Sequence, residues 1–157
     1  NSINSSGWTI GAAADMNDYY GFTITPAPGF VMDLTDLDFS ERASSTGPTQ
    51  FDVRSSLDSF ASPIFSGATT IDANSRRQFD LTAAFQDLTV PVTFRIFAFQ
   101  SSASAGTWRL GVSGEPTAAV PANLQLVGDL TAVPEPTTLL LLGSGLAALA
   151  TWRRRRK

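Results

Sequence analysis

The side chains able to do chemistry here are few in kind. The 157 residues contain neither histidine nor cysteine. That removes the commonest general base, the commonest transition-metal ligand, the thiolate nucleophile and any Ser-His-Asp triad within this sequence. Carboxylates remain. The densest group is Asp33, Asp36, Asp38 and Glu41. If Leu37-Asp38-Phe39 is a strand, Asp36 and Asp38 share one face, where neighbouring carboxylates could hold Ca²⁺. Asp15, Asn17 and Asp18 make a second oxygen-rich loop. Neither has the spacing of an EF-hand, and a solvated strand face and a turn account for both. A glycosidase needs two carboxyl groups at a fixed separation in a cleft, and thirteen acids in an all-β body supply such pairs by chance. The aromatic residues Trp8, Tyr19 and Tyr20 are candidate carbohydrate contacts, because a sugar ring can stack on an apolar face that also carries a polar handle. Trp108 is expected in the core. Arg54 and Arg95 sit mid-strand opposite the apolar residues and are expected to pair with Asp52 or Asp80. Asn4-Ser5-Ser6 fits an N-glycosylation pattern, and Ala43 to Thr49 is a Ser/Thr-rich loop.

Charge is distributed unevenly. Five of the eleven basic residues are the terminal run Arg153, Arg154, Arg155, Arg156 and Lys157. Residues 1–133 hold six basic and thirteen acidic side chains, a net of −7. An acidic body repels phosphate backbones, so no nucleic-acid partner is expected.

Immediately before the basic run, Thr137 to Trp152 reads TTLLLLGSGLAALATW without a charge. As a helix it rises about 24 Å at about 1.5 Å per residue, against a hydrocarbon core of roughly 30 Å. Bilayer thinning and snorkelling arginines can close that gap. Trp152 stands where an indole prefers the interface, and the cations place the C-terminus in the cytoplasm. The body then lies outside. A buried core helix is the alternative, but core helices seldom end in five cations. Val133-Pro134-Glu135-Pro136 precedes the run, and its two prolines impose an extended hinge that presents Glu135.

The order Pro-Glu-Pro, short apolar helix with small residues, then arginine cluster resembles the PEP-CTERM sorting signal, also catalogued as an ice-binding protein C-terminal domain. The resemblance spans Val133 to Lys157. It implies recognition by a membrane-embedded exosortase in a Gram-negative-type bacterium, cleavage near Pro134 to Pro136, and export into an exopolysaccharide-rich surface or biofilm matrix. A permanent single-pass anchor with a proline linker is the alternative reading of the same residues. Either topology needs an N-terminal export signal. The sequence opens at Asn1 without methionine or an apolar leader, so such a signal is expected to have been removed, or the sequence is a fragment.

Positioning these groups falls to residues 1–132, which read as short alternating runs between turn residues. Tyr20 to Thr25, Phe30 to Leu34, Leu37 to Phe39, Phe51 to Arg54, Phe79 to Thr82, Val92 to Phe99, Trp108 to Leu110 and Leu124 to Val127 are expected strands. Val92 to Phe99 is the longest and the best central candidate. Leu81 to Leu88 could instead form a single helical turn. About eight strands predict an all-β, two-sheet antiparallel sandwich or jelly roll, followed by one C-terminal transmembrane helix. The organisation is then 1–132 sandwich, 133–136 linker, 137–152 helix and 153–157 basic tail.

Phe22 to Pro26, Asp33 to Phe39, Ser44 to Pro48, Arg54 to Leu57, Pro91 to Arg95 and Thr107 to Arg109 resemble the β-sandwich domain found ahead of many such tails. That domain is similar to galactose-binding-like jelly rolls, several of which bind carbohydrate. Gly111 to Ala122 departs from it as an insertion before the last strand. The expected product is an exported, non-catalytic surface or matrix protein of the bacterial envelope, associated with extracellular polysaccharide and needing no cofactor. A carbohydrate-active hydrolase or lyase is the rival. Ice binding would need a regular threonine array, and the sequence has no such repeat.

Overall fold

A computed structural model of the protein describes residues 2–111 and 124–134. The described strands are β1 Ile3–Ser6, β2 Tyr19–Ile24, β3 Phe30–Ala43, β4 Gln50–Ser55, β5 Phe65–Ala68, β6 Ser75–Asp80, β7 Val92–Phe99, β8 Thr107–Leu110 and β9 Gln125–Ala132; β1 and β5 were not expected, and the run expected at Phe79 to Thr82 lies earlier, in β6. They pair antiparallel in two sheets. One runs β1-β8-β3-β6 with β9 also on β3, and the other runs β2-β7-β4-β5. This is the expected two-sheet arrangement, with β7 central between β2 and β4.

β3 corrects the strand list. Phe30 to Leu34 and Leu37 to Phe39 are one fourteen-residue strand, not two. Its pairing with β9 shifts register between Leu34 and Asp36. Such a bulge inserts one residue and resets the alternation. Leu34 and Leu37 are therefore both buried although three positions apart. The C-terminal end of β3 pairs with β8, and the N-terminal part pairs with β9 along the same edge. β9 extends the expected Leu124 to Val127 segment to Ala132.

The core lies between the layers. Val92, Phe94, Ile96 and Ala98 alternate inward from β7 and are buried, opposed by Leu37, Phe39 and Trp108 of the other sheet and joined by Phe51 and Val53 of β4. Each such side chain contributes about 1.5–3 kcal/mol on burial. Rings interlock: Phe39 meets Phe51 edge-on at 5.9 Å, and Phe65 stacks on Phe79 at 4.3 Å. The anticipated helical turn is the 3₁₀ segment Ala83–Phe85, which buries Phe85 against Phe94. A second 3₁₀ turn, Ser56–Asp58, follows β4 and is capped by the Ser55 side chain. Among the described residues no helix is long and apolar enough to cross a membrane. The expected transmembrane helix at 137–152 lies outside the described residues, as does nearly all of the Gly111 to Ala122 insertion.

Candidate functional site

Strand β9 ends at the sorting segment. The Val133 N–H donates to the Gly29 carbonyl at 2.8 Å, one step beyond the last ladder pair, Phe30 with Ala132. Gly29 accepts this from a left-handed conformation (φ 81°), open to a residue without a Cβ. Val133 and Pro134 are exposed. Glu135, Pro136 and the basic run Arg153 to Lys157 lie outside the described residues.

The aromatic candidates divide. Trp8 is 3% exposed and meets Tyr20 and Trp108 edge-on at 5.0 and 5.6 Å, so it belongs to the core and is not a surface platform. Its indole N–H donates to the Ser5 carbonyl at 2.9 Å. Tyr20 also faces inward. Its hydroxyl donates to the Trp108 carbonyl at 2.8 Å, and burial raises its pKa above the ordinary value. Tyr19, its neighbour on β2, points to the other side and is 37% exposed. Successive strand residues cannot share a face, so only one of the two tyrosines was available as a surface contact.

The acidic residues are bound up in the fold. Asp36 and Asp38 do face the same way, but Arg76 donates to both Asp38 oxygens, and that hydrogen bonding raises the Arg76 pKa. Asp33 accepts from the Asp87 N–H at 2.7 Å. The three do not converge as the weak Ca²⁺ site considered from the sequence, and among the described residues no three acidic side chains are grouped to hold a metal ion. In the second loop Asp18 accepts from Thr9 and Asp15 from Asn17. Glu41 turns inward instead. On the same face of β3 as Phe39, its fully buried carboxylate accepts from Arg77 (2.8 Å), the Thr70 N–H (2.9 Å) and the Trp108 indole (2.8 Å).

The outer face of the β2-β7-β4 sheet carries the remaining polar cluster. Arg54 pairs with Asp52 at 2.9 Å, but along the same strand and not across strands as expected, and Ser66 donates to the other Asp52 oxygen. Arg95 does not pair with Asp52 or Asp80. Asp80 stands on the opposite sheet, and Asp52 is already occupied. The Arg95 guanidinium carbon instead lies 4.3 Å from the Tyr19 ring centroid and 4.0 Å from that of Phe60. Phe60 was not anticipated. It reaches this face because Ser59 and Phe60 both take positive φ (60° and 62°), folding the loop back over β4. Arg54 ties that loop down through the Phe60 and Ala61 carbonyls. Beneath the cluster Phe97 faces outward yet is fully buried, covered by Tyr19 and Arg54.

Residues 132–156 match the PEP-CTERM protein-sorting motif. The motif supports export to the cell envelope or surface by sorting through exosortase-type machinery, with membrane association. No curated protein and no solved structure matches the chain.

Proposed function

We propose that this PEP-CTERM sorting-motif protein is an exported, non-catalytic β-sandwich, cut from its tail by the sorting protease and retained at the surface or in the matrix by exopolysaccharide. One observation carries the reading: the motif begins at the end of the last described strand. It matches from residue 132, at the last residue of β9, and Val133 makes the last backbone bond to the sandwich among the described residues. Cleavage near Pro134 to Pro136 leaves every described strand intact. Support for a non-catalytic body comes from the absence of histidine and cysteine and from the engagement of Asp38, Glu41 and Asp52 in ion pairs. Association with polysaccharide draws on the similarity to galactose-binding-like jelly rolls, a fold analogy.

The test is intact mass of the protein recovered from its native surface or medium, beside a Glu135→Ala variant. The expected result is a wild-type mass that lacks the residues beyond the Pro-Glu-Pro segment, and a variant that keeps them. A mature form still carrying Arg153 to Lys157 in both proteins overturns processing and makes the tail a permanent anchor.

A further inference from the structure

We propose that Arg95, held against Tyr19 and Phe60 on the outer face of the four-stranded sheet, is a recognition subsite for the carboxylate of a uronic-acid residue in an acidic polysaccharide. The inference rests on the reading that the sandwich associates with exopolysaccharide, and it names the chemistry of that contact.

Arg95 differs from Arg54 beside it and from Arg76 and Arg77 on the other sheet. Arg54, Arg76 and Arg77 each meet a carboxylate. Among the described residues Arg95 has no hydrogen bond and no ion pair. Its Nε is buried without a partner, whereas the two terminal nitrogens are neither buried nor bonded. A partly desolvated cation without a counter-charge is costly. The cost is raised by its position: in the β4–β7 register Arg54 stands directly opposite Arg95, and like charges so placed repel. Two rings return only part of this, about 0.5–2 kcal/mol each. The arrangement is therefore incomplete as a structural device and complete once an anion is added.

Geometry selects the anion. The rings hold the planar guanidinium, and its unbonded terminal N–H groups form a fork suited to a two-oxygen acceptor such as a carboxylate. Little side-chain freedom is left to lose on binding, because the Tyr19 ring is itself wedged. It packs over Gly21, where an added Cβ would come within 3.0 Å of it, and against Phe97 at 5.5 Å. Gly21 is the residue opposite Arg95 on β2, so the absence of a side chain there leaves room for ring and guanidinium together. The positive spot lies in an otherwise acidic body, which repels polyanions elsewhere. A polyuronate is thereby directed to one place.

The experiment is isothermal titration of the full chain in nonionic detergent with hexagalacturonate and with its carboxyl-reduced neutral counterpart. Arg153 to Lys157 are changed to Gln in every protein compared, so that tail charge does not contribute. Hexagalacturonate is expected to bind, with the reduced hexasaccharide and the Arg95→Gln variant each weaker by about tenfold or more. Arg95→Lys keeps the charge but not the fork and is expected several-fold weaker. Tyr19→Leu, which releases the guanidinium, must also weaken binding, and it decides the matter should Arg95→Gln lose its near-ultraviolet circular dichroism. Unchanged hexagalacturonate affinity in folded Arg95→Gln overturns the site. Equal affinity for the reduced sugar overturns the carboxylate. If the parent is retained on native exopolysaccharide and Arg95→Gln is retained equally, this site falls while the broader reading stands. If the parent binds none of these polysaccharides, both fall.

Discussion

Glu41 is the point at which a single atom should matter most. Its carboxylate is fully buried inside the sandwich and receives four N–H groups. Arg77 Nε and Nη2 and the Thr70 N–H reach Oε1, and the Trp108 indole reaches Oε2. Replacement by Gln is nearly isosteric but turns one acceptor into a donor. With the amide oxygen in the Oε1 position, the new NH₂ confronts the indole N–H. A buried donor is orphaned, at about 1–3 kcal/mol, and the bonds from Arg77 lose their charge assistance, about another 1–2 kcal/mol. The opposite amide orientation sets NH₂ against Arg77 and Thr70 together and is worse. Glu41→Gln should therefore cost about 2–5 kcal/mol, reaching the range for breaking a buried pair. That is a large part of the 5–15 kcal/mol typical of a whole domain.

The measurement is a urea titration of a chain ending at Pro134, followed by tryptophan fluorescence from Trp8 and Trp108. With a slope of about 2 kcal/mol per molar, the midpoint should fall by roughly 1–2.5 M at an unchanged slope. A companion removes the confronted donor. Trp108→Phe in the Glu41→Gln background should destabilise by less than it does in the parent, a non-additivity of about 1 kcal/mol or more. A midpoint within about 0.5 M of the parent, or strict additivity, would refute the argument that this carboxylate is a four-donor hub.

Two further outcomes follow from the fold. Tyr20→Phe should cost about 0.5–1.5 kcal/mol near pH 8 by removing the hydroxyl bond to the Trp108 carbonyl. Because burial raises the Tyr20 pKa, the neutral phenol contributes fully below the unfolded value of about 10. That contribution is lost as pH rises from there through the folded pKa, since the unfolded chain releases its proton first. Urea midpoints from pH 8 to 11 should thus show the gap between parent and variant closing above pH 10, and a constant gap would count against the buried phenol. Gly128→Ala would place a Cβ 2.2 Å from the Asp33 carbonyl oxygen, a backbone contact without relief. A cost of about 1–3 kcal/mol is expected, with faster amide exchange confined at first to β9, and unchanged exchange at Val127 and Leu130 would refute it.

The strands were legible because one buried face imposes a period of two. The sequence of β7 alternates from Val92 to Ile96, before the outward but covered Phe97, and that of β4 alternates from Phe51 to Arg54. β3 was not legible as one strand, since its bulge resets the period between Leu34 and Leu37, and a break in alternation looks like a turn. Glu41 could have been placed by extending the alternation Leu37, Phe39 two residues further, which sets a carboxylate on the core face. Trp8 gave no such signal. It lies in a Ser/Gly-rich stretch outside any strand, and long-range contacts bring it against the core: the parallel bridge from Thr9 to Phe99 and the backbone bonds of Gly7 and Thr9 to Ser104 and Ser101. The Arg95 cluster depended on facts that no local pattern holds: which strands are neighbours, and how a loop with two positive-φ residues folds back over them. Trading a cross-strand ion pair for two rings is a tertiary outcome.

The boundary between the described sandwich and the sorting motif falls at Val133 and Pro134. Val133 gives its N–H to Gly29, and Pro134, which follows, has its φ fixed by the ring and no N–H of its own. A cut beyond Pro134 severs no described hydrogen bond. A cut a few residues earlier would be costly, because Leu124 and Leu126 pack against the core and β9 is the strand that Phe30 to Asp38 pair with along this edge. On the proposed reading, Pro134 and Pro136 separate the described sandwich from the segment that the sorting protease would bind. Restoring a donor by Pro134→Ala tests this division. Folding stability should be unchanged within about 0.5 kcal/mol, as for surface changes generally, while release from the tail should slow, because the residue before the cut is no longer held extended and free of the sheet. Slowed release with a large gain in stability would mean instead that pairing had run on into the motif, and unchanged release would show that the proline plays no part in presenting Glu135.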